Sequence, residues 1–334
     1  MSRRPRMTLN MGPNPNNSNA PLGPIISQRE VCRKFILHFL KGKGQYGKVY
    51  KVVHEESGLY FAMKKLSKCD HSSMPEIRKD LNDFLVSQRC SKCEFIIKAY
   101  CAIVDQVSSD ICIIMDLIDT SLDKVIVTVQ KKKSQFQEKV ILYITYAVCD
   151  ALEFLHQDCT IHRDVKPANI LVGFKGKVKN PVPSFFCQFQ LCDFGISGKL
   201  ENSVAPTNVG TSTYLPPERM EAEYGVSEFN IKSDVWPLGL TIYEMVMLDH
   251  PFKNEETFAL YRAVTEYKPN IPETVTHIGQ ELKELIVSCL QNKSEARPDF
   301  QQILDLPLFK NLDKDLAKKE MVKWFETYQI IEEI

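Results

Sequence analysis

The chain has 334 residues, 44% of them hydrophobic and 25% charged, the proportions of an ordinary globular protein long enough for one large domain or two closely packed lobes. Lys+Arg and Asp+Glu both total 42, so no global field points toward nucleic acid or an anionic membrane surface. No apolar run approaches the ~18 residues of a membrane span, and nothing at the N-terminus has the form of a secretory signal, so a soluble chain without membrane insertion is expected. Of eleven cysteines, Cys90 and Cys93 form one close pair, without a second pair to complete a four-ligand zinc site. Reduced thiols in the cytoplasm or nucleus are the expectation.

In chain order, residues 1–29 carry five Pro, five Asn and no acidic side chain, a composition unable to bury enough apolar surface to offset the cost of ordering. A flexible arm is predicted there. From about Cys32 to 118, short β-branched and aromatic runs such as Val49–Val53 and Leu59–Met63 alternate with polar turns, predicting a small β-rich lobe. From 119 to 309 the apolar spacing lengthens to helical periods, as in Val140–Leu155 and Val235–Leu248, predicting a larger helical lobe. Residues 310–334 form a terminal extension in which Met321, Trp324, Phe325, Tyr328 and Ile331 recur at helical spacing. The fold class is α+β with two lobes, and no internal repeat suggests a solenoid.

Ordered motifs from Gly42 to Arg297 carry chemistry. Gly42-Lys43-Gly44-Gln45-Tyr46-Gly47-Lys48-Val49 is a Gly-x-Gly-x-x-Gly-x-Val run whose missing side chains let backbone N–H groups approach phosphate oxygens. A dinucleotide fold would continue into a helix; here β-type residues follow, leading to Ala62-Met63-Lys64. His162-Arg163-Asp164-Val165-Lys166-Pro167-Ala168-Asn169 combines several unlike residue types at fixed spacing, and Asp193-Phe194-Gly195 comes after it. Pro216-Pro217-Glu218, Ser233-Asp234-Val235-Trp236 and Ala296-Arg297-Pro298 complete the series.

In this order and spacing the elements resemble the protein kinases, which implies the bilobal protein kinase fold and phosphoryl transfer from ATP with Mg²⁺. The resemblance implies that Gly42, Gly44, Gly47 and Val49 cover the nucleotide, and that Lys64 holds its α and β phosphates and pairs with an acid on the next helix. Asp164 would accept or orient the substrate hydroxyl proton, Lys166 would lie near the γ phosphate, and Asn169 and Asp193 would hold the metal. Arg297 would be the buried partner of Glu218, Asp234 would start a helix and steady the catalytic loop, and Arg163 would be a structural residue of that loop.

Ile111–Lys124, with Met115-Asp116-Leu117-Ile118-Asp119-Thr120-Ser121-Leu122-Asp123-Lys124, is similar to the lobe-joining segment of MAP kinase kinases, the stress-activated branch above all. Met115 would be the gatekeeper, and Asp116 to Ile118 would offer backbone groups to adenine. Asp83-Phe84-Leu85-Val86-Ser87-Gln88-Arg89 fits the same branch, making Asp83 the expected partner of Lys64 and Asp80, one turn earlier, the fallback. Ser203-Val204-Ala205-Pro206-Thr207 resembles the family's phosphorylation pair, so Ser203 and Thr207 are the expected switch, each phosphate adding about −1.5 to −2 charges that Arg163 could pair. Thr211 reads as a packing and substrate-platform residue. Arg3, Arg4 and Arg6 followed by Leu9 and Met11 resemble the arm by which MAP kinase kinases grip a MAP kinase substrate. The C-terminal extension either packs on the large lobe or receives an upstream MAP kinase kinase kinase. The implied activity is dual-specificity phosphorylation of Thr and Tyr in a MAP kinase activation loop. A scaffolding pseudokinase and a serine/threonine kinase outside MAP cascades are the alternatives.

Three features depart from the family pattern. Asn180–Gln190, eleven residues, interrupt the expected hairpin between Lys179 and Leu191; Pro181 and Pro183 cannot donate strand hydrogen bonds, and Phe185, Phe186 and Phe189 would sit poorly in solvent. A real loop extension and an unspliced intron translated in frame both explain this, and the seamless deletion to Gly-Lys-Val-Lys-Leu-Cys-Asp-Phe-Gly favours the second. The activation segment is one residue short between Thr207 and Gly210. Pro237 replaces a usual Ser, a mild change if Asp234 is an N-cap and Pro237 the third helical residue. Cys192, beside Asp193, reads as a packed thiol.

Overall fold

Short runs of β-branched and aromatic residues pair into an antiparallel sheet that forms the first lobe. The structure is a computed structural model describing residues 35–44, 47–66, 81–104, 110–175, 186–194, 198–199, 212–221, 230–253, 255 and 257–327. Strands β1 (Phe35–Gly44), β2 (Gly47–His54) and β3 (Tyr60–Leu66) are followed by helix α1 (Asn82–Arg89), then β4 (Ala99–Val104) and β5 (Ile111–Met115), in the spatial order β1-β2-β3-β5-β4. The interior strand β5 is buried on both faces because each supports a small core. Val52, Ile103, Cys112 and Ile114 pack on one side with Phe35 and Phe61; Ala99, Ile111 and Ile113 pack on the other against Leu81 and Phe84 of the α1 region.

The second lobe begins with β6 (Thr120–Ser121) and α2 (Leu122–Lys131) and is built around α3 (Glu138–Gln157). α3 is apolar around most of its circumference, as a helix enclosed by other elements must be. β7 (Thr160–Ile161), a 3₁₀ turn at Pro167–Asn169, β8 (Ile170–Lys175), β9 (Phe186–Leu191) and β10 (Gly198–Lys199) follow. After a 3₁₀ turn at Ser212–Tyr214 come α4 (Pro217–Glu221), a further 3₁₀ turn at Ile231–Asp234 and α5 (Val235–Met247). The remainder is α6 (Thr257–Thr265), α7 (Gln280–Cys289), α8 (Phe300–Leu304), α9 (Pro307–Lys310) and α10 (Lys314–Thr327). α5 and α7 pack so closely that a Cβ on Gly239 would lie 2.8 Å from the Cys289 Cβ, so only glycine fits there.

The C-terminal stripe is core packing. Met321, Trp324 and Phe325 of α10 are buried, Trp324 stacks on Phe136 with centroids 4.9 Å apart, and Phe325 meets Phe174 of β8 edge-on at 4.9 Å. Tyr328 and Ile331 lie outside the described residues.

The reading of residues 180–190 as an interruption is corrected in part. Phe186–Gln190 belong to β9 and continue its pairing with β8 without a register break, from Ile170↔Leu191 to Lys175↔Phe186. The cause is period-two patterning: Cys187, Phe189 and Leu191 all point inward and are buried. Phe189, expected to sit poorly in solvent, is 1% exposed and packs near Tyr143 of α3.

Pro237 is the third residue of α5, as expected. The expected capping by Asp234 is corrected: it occupies the N-cap position with helical backbone angles, because a 3₁₀ turn runs straight into α5, and its carboxylate makes no cap bond. Among the described residues no helix is long and apolar enough to cross a membrane.

Candidate active site

The glycine-rich run is the β1–β2 hairpin, with Gly42 opposite Val49 and Gly44 opposite Gly47. Val49 in turn lies opposite Lys64 on β3, so cross-strand register sets Gly42, Val49 and Lys64 in one row across the sheet. Lys64 is buried, and its Nζ donates to Asp83 Oδ2 at 2.5 Å and to Asp193 Oδ1 at 2.8 Å. The three residues are far apart in sequence and come from a strand, a helix and the end of β9. Burial pulls the Lys64 pKa down, but the two carboxylates outweigh it and hold the group above its ordinary value. Burial raises Asp193, while the charge and hydrogen bond of Lys64, helped by His162 and Lys166, bring it net below the usual carboxylate range. Asp80, the fallback partner, is outside the described residues.

The catalytic-loop residues close on one another. Asp164 Oδ2 accepts from Lys166 Nζ at 2.7 Å and from Asn169 Nδ2 at 2.9 Å, and Asn169 Nδ2 also donates to the Asp164 carbonyl at 2.7 Å. The Cys192 N–H donates to the Asn169 carbonyl at 3.0 Å, and His162 Nε2 donates to the Cys192 carbonyl at 3.1 Å. The loop is thereby tied to the segment that leads from β9 to Asp193. Arg163 and Asp193 both have positive φ, 71° and 66°, conformations that side-chain-bearing residues hold only where the surroundings enforce them. Asp234 supplies one such constraint: Oδ2 accepts from the His162 N–H and Oδ1 from the Arg163 N–H, each at 2.8 Å. Burial raises the Asp234 pKa, but bonds and charge from His156 and His162 bring it net below the ordinary value.

Arg297, 1% exposed, makes a two-pronged contact with Glu218 at 2.9 and 2.7 Å and caps the carbonyls of Gln291 and Asn292. Met115 ends β5 opposite Ala62, and the Asp116 N–H donates to the Lys98 carbonyl at 2.9 Å. Ile118 packs under β8, its Cγ2 3.3 Å from where a Cβ on Gly173 would lie. Burial pushes the Cys192 thiol well up, as suits a packed thiol. Arg3, Arg4, Arg6, Leu9, Met11, Ser203, Thr207 and Thr211 lie outside the described residues.

Two contacts had no motif to announce them. Asn82 Nδ2 donates to the Phe194 carbonyl at 2.5 Å, and Tyr214 donates its hydroxyl to Glu244 Oε2 at 2.6 Å. Asn82 is adjacent to Asp83, which is the only sequence signal that could have found it.

The donor set fits a divalent cation carried in with a nucleotide. Among the described residues no cluster of three His, Cys, Asp or Glu could hold a metal alone. Asn169 turns its Nδ2 toward Asp164, which leaves its amide oxygen to act as an acceptor, and Asp193 carries a second carboxylate oxygen beyond the one on Lys64. One amide and one carboxylate oxygen suit a hard cation that keeps most of its shell for water and phosphate.

A glycine hairpin in register with a lysine that bridges two acids, beside a loop of Asp164, Lys166 and Asn169, defines a phosphoryl-transfer site between two lobes. The protein kinase domain family matches residues 38–309, and the chain belongs to it: it is an ATP-dependent protein kinase working with a divalent metal. Within that family it is of the MAP kinase kinase type. It is 33% identical over 298 residues to the dual specificity mitogen-activated protein kinase kinase sek-1 of Caenorhabditis elegans, covering 88% of this chain and 81% of that one. MAP kinase kinase mkk-4 of the same organism is 33% identical, with 80% of this chain and 71% of the relative covered. Protein kinase wis1 of Schizosaccharomyces pombe is also 33% identical, but there the chain spans 44% of the relative's length.

Proposed function

We propose that this kinase transfers the ATP γ-phosphoryl group to both Thr and Tyr in the activation loop of a MAP kinase, and that an upstream MAP kinase kinase kinase switches it on by phosphorylating Ser203 and Thr207. The observation that carries the reading is that Lys64 bridges Asp83 and Asp193 at 2.5 and 2.8 Å while Asn169 holds Asp164 at 2.9 Å, the two groups being tied by the Cys192 N–H on the Asn169 carbonyl at 3.0 Å.

In this reading Asn169 and Asp193 would hold Mg²⁺, which would supply charge neutralisation on the bound triphosphate. Lys64, kept protonated and aimed by its two acids, holds the α and β phosphates. Met115, Asp116 and Ile118 border adenine, the last two through backbone groups. Asp164 orients the attacking hydroxyl and takes its proton, while Lys166, 2.7 Å from it, stays close to the transferred group. Positioning and charge neutralisation supply the catalysis, with turnover on the order of 1–100 s⁻¹ once activated. Arg3, Arg4 and Arg6 with Leu9 and Met11 form the docking arm for the substrate kinase, and the encounter takes place in the cytoplasm or nucleus.

The test uses Ser203→Asp with Thr207→Asp, incubated with a panel of kinase-dead MAP kinases, followed by phosphosite mapping. Phosphate on both Thr and Tyr of one activation loop supports the reading. Phosphate on serine and threonine of unrelated proteins alone would make it a kinase outside MAP cascades, and none on any protein a scaffold. Asp164→Asn should abolish transfer while leaving ATP binding intact.

A further inference from the structure

Helix α1 is poorly equipped to hold its own position. It has eight residues, and Leu81 at its N-cap makes no side-chain cap bond, whereas isolated helices shorter than ~12–15 residues are marginal in water. Val86 is its one fully buried apolar side chain, with Phe84 and Leu85 half-buried. Yet α1 carries Asp83, which must stay within reach of Lys64. Polar contacts therefore set its place. Ser87 donates to the Ile97 carbonyl and accepts from the Ala99 N–H, both at 2.7 Å, and Arg89 Nε donates to Asp158 Oδ2 at 2.8 Å.

Those bonds reach the scaffold, but the Asn82 bond reaches the Asp193-Phe194 backbone itself. Asp193 sits in the left-handed region and has to be held there from both sides. On one side the catalytic loop grips Cys192 through Asn169 and His162. On the other, Lys64 takes the Asp193 side chain and Asn82 takes the carbonyl of the next residue. Asn82 and Asp83 are neighbours on one helix, so any movement of α1 that withdraws Asp83 from Lys64 also withdraws the Asn82 amide from Phe194.

We propose that Asn82 is a positioning residue that latches α1 to the Phe194 backbone, so that the inward place of Asp83 and the metal-holding conformation of Asp193 form and break together. The proposal rests on the reading of Asp193 as a metal ligand.

The test is calorimetric binding of a non-hydrolysable ATP analogue to the full chain, in Mg²⁺ and in EDTA. Asn82→Ala and the isosteric Asn82→Asp, which lacks the N–H donor, should lose about tenfold of the affinity that Mg²⁺ confers. Metal-free affinity should stay within about twofold, and Asn82→Gln, which keeps the donor, should recover part of the loss. An unchanged Mg²⁺ gain in both variants overturns the latch, as does a parallel fall of both affinities, which would mark a merely structural role. If Asn82→Ala fails to fold, Asn82→Asp against Asn82→Gln carries the comparison. Asp193→Asn separates the two readings. If it abolishes the Mg²⁺ gain while the Asn82 variants do not, the latch alone falls; if it leaves the gain intact, the metal assignment and the latch fall together.

Discussion

The Asp234 carboxylate holds the backbone of Arg163, accepting its N–H at 2.8 Å while Arg163 sits at φ 71°. Left-handed backbone costs a residue with a Cβ roughly 1–2 kcal/mol, and a buried carboxylate bonded to two N–H groups offsets that locally. The acid at the start of α5 thus acts on a loop some seventy positions earlier in the chain.

Asp234→Ala removes both bonds and leaves two buried N–H groups without their partner. The expected loss is about 2–4 kcal/mol of stability, with kcat/KM falling at least about a hundredfold as Asp164 loses its support. Urea unfolding and steady-state kinetics read the two effects. Because its folded pKa is depressed, Asp234 contributes stability above its unfolded value of ~4 that disappears as pH falls below it. The variant's acid unfolding should therefore be less steep than that of the wild type.

Arg297 is fully buried against a Glu218 that is 18% exposed, and removing either partner breaks the two-pronged contact and leaves the other charge without it. Either single alanine variant should cost about 3–5 kcal/mol, and the double variant should cost less than the sum. A double-mutant cycle by chemical denaturation measures this; strict additivity would show that the pair does not act as a unit.

Phe189 tests whether the β8–β9 hairpin is integral to the large core. Phe189→Ala should destabilise the protein by about 3 kcal/mol or more, and Phe189→Val by roughly half as much. A melting temperature within a degree of wild type in Phe189→Ala would mean that the strand does not pack as described.

Glu244 and His250 set opposing pH dependences. Burial pushes Glu244 up to about 7, with Asp123 and Asp249 adding to the rise and the Tyr214 hydroxyl opposing it. Its folded pKa lies above its unfolded value, so stability falls as pH rises from about 4.5 to 7. Burial lowers His250 to about 4, against the pull of Asp249, so its contribution makes stability rise with pH between about 4 and 6.5. In the wild type the two slopes largely cancel. Glu244→Gln, which keeps an acceptor for Tyr214, should expose the His250 slope, on the order of 2 kcal/mol across that window. Guanidinium titrations at pH 4.5, 6 and 8 would show it; equal pH slopes in the two proteins would refute it.

The catalytic residues were legible because each motif packs several chemically unlike groups into a short run, and short-range order survives in sequence. Lys64 with Asp83 was also legible, through the Ser87 and Arg89 that follow at family spacing. Three things were hidden. Asn82 offers no pattern beyond its neighbour, since its partner is a backbone carbonyl over a hundred residues away. Tyr214 and Glu244 meet only because a 3₁₀ turn is folded onto α5. Asp234 was expected to cap its helix, because the continuous run from 3₁₀ turn to α5 cannot be seen in a four-residue motif.

The insertion marks the same boundary most clearly. Motif order carried the resemblance to a bilobal kinase, since phosphate binding and metal holding demand particular residue types at particular spacings, and the likeness of Ile111–Lys124 to the family's lobe-joining segment narrowed it to the MAP kinase kinase type. Neither could say which residues before Leu191 make the strand, because both Val178-Lys179 and Phe189-Gln190 offer an apolar residue followed by a polar one. Tertiary structure decided it: the strand that pairs with Ile170–Lys175 is the one whose Phe189 and Cys187 fill the space beside α3, and burying a large aromatic ring outweighs the shorter loop the other register would allow.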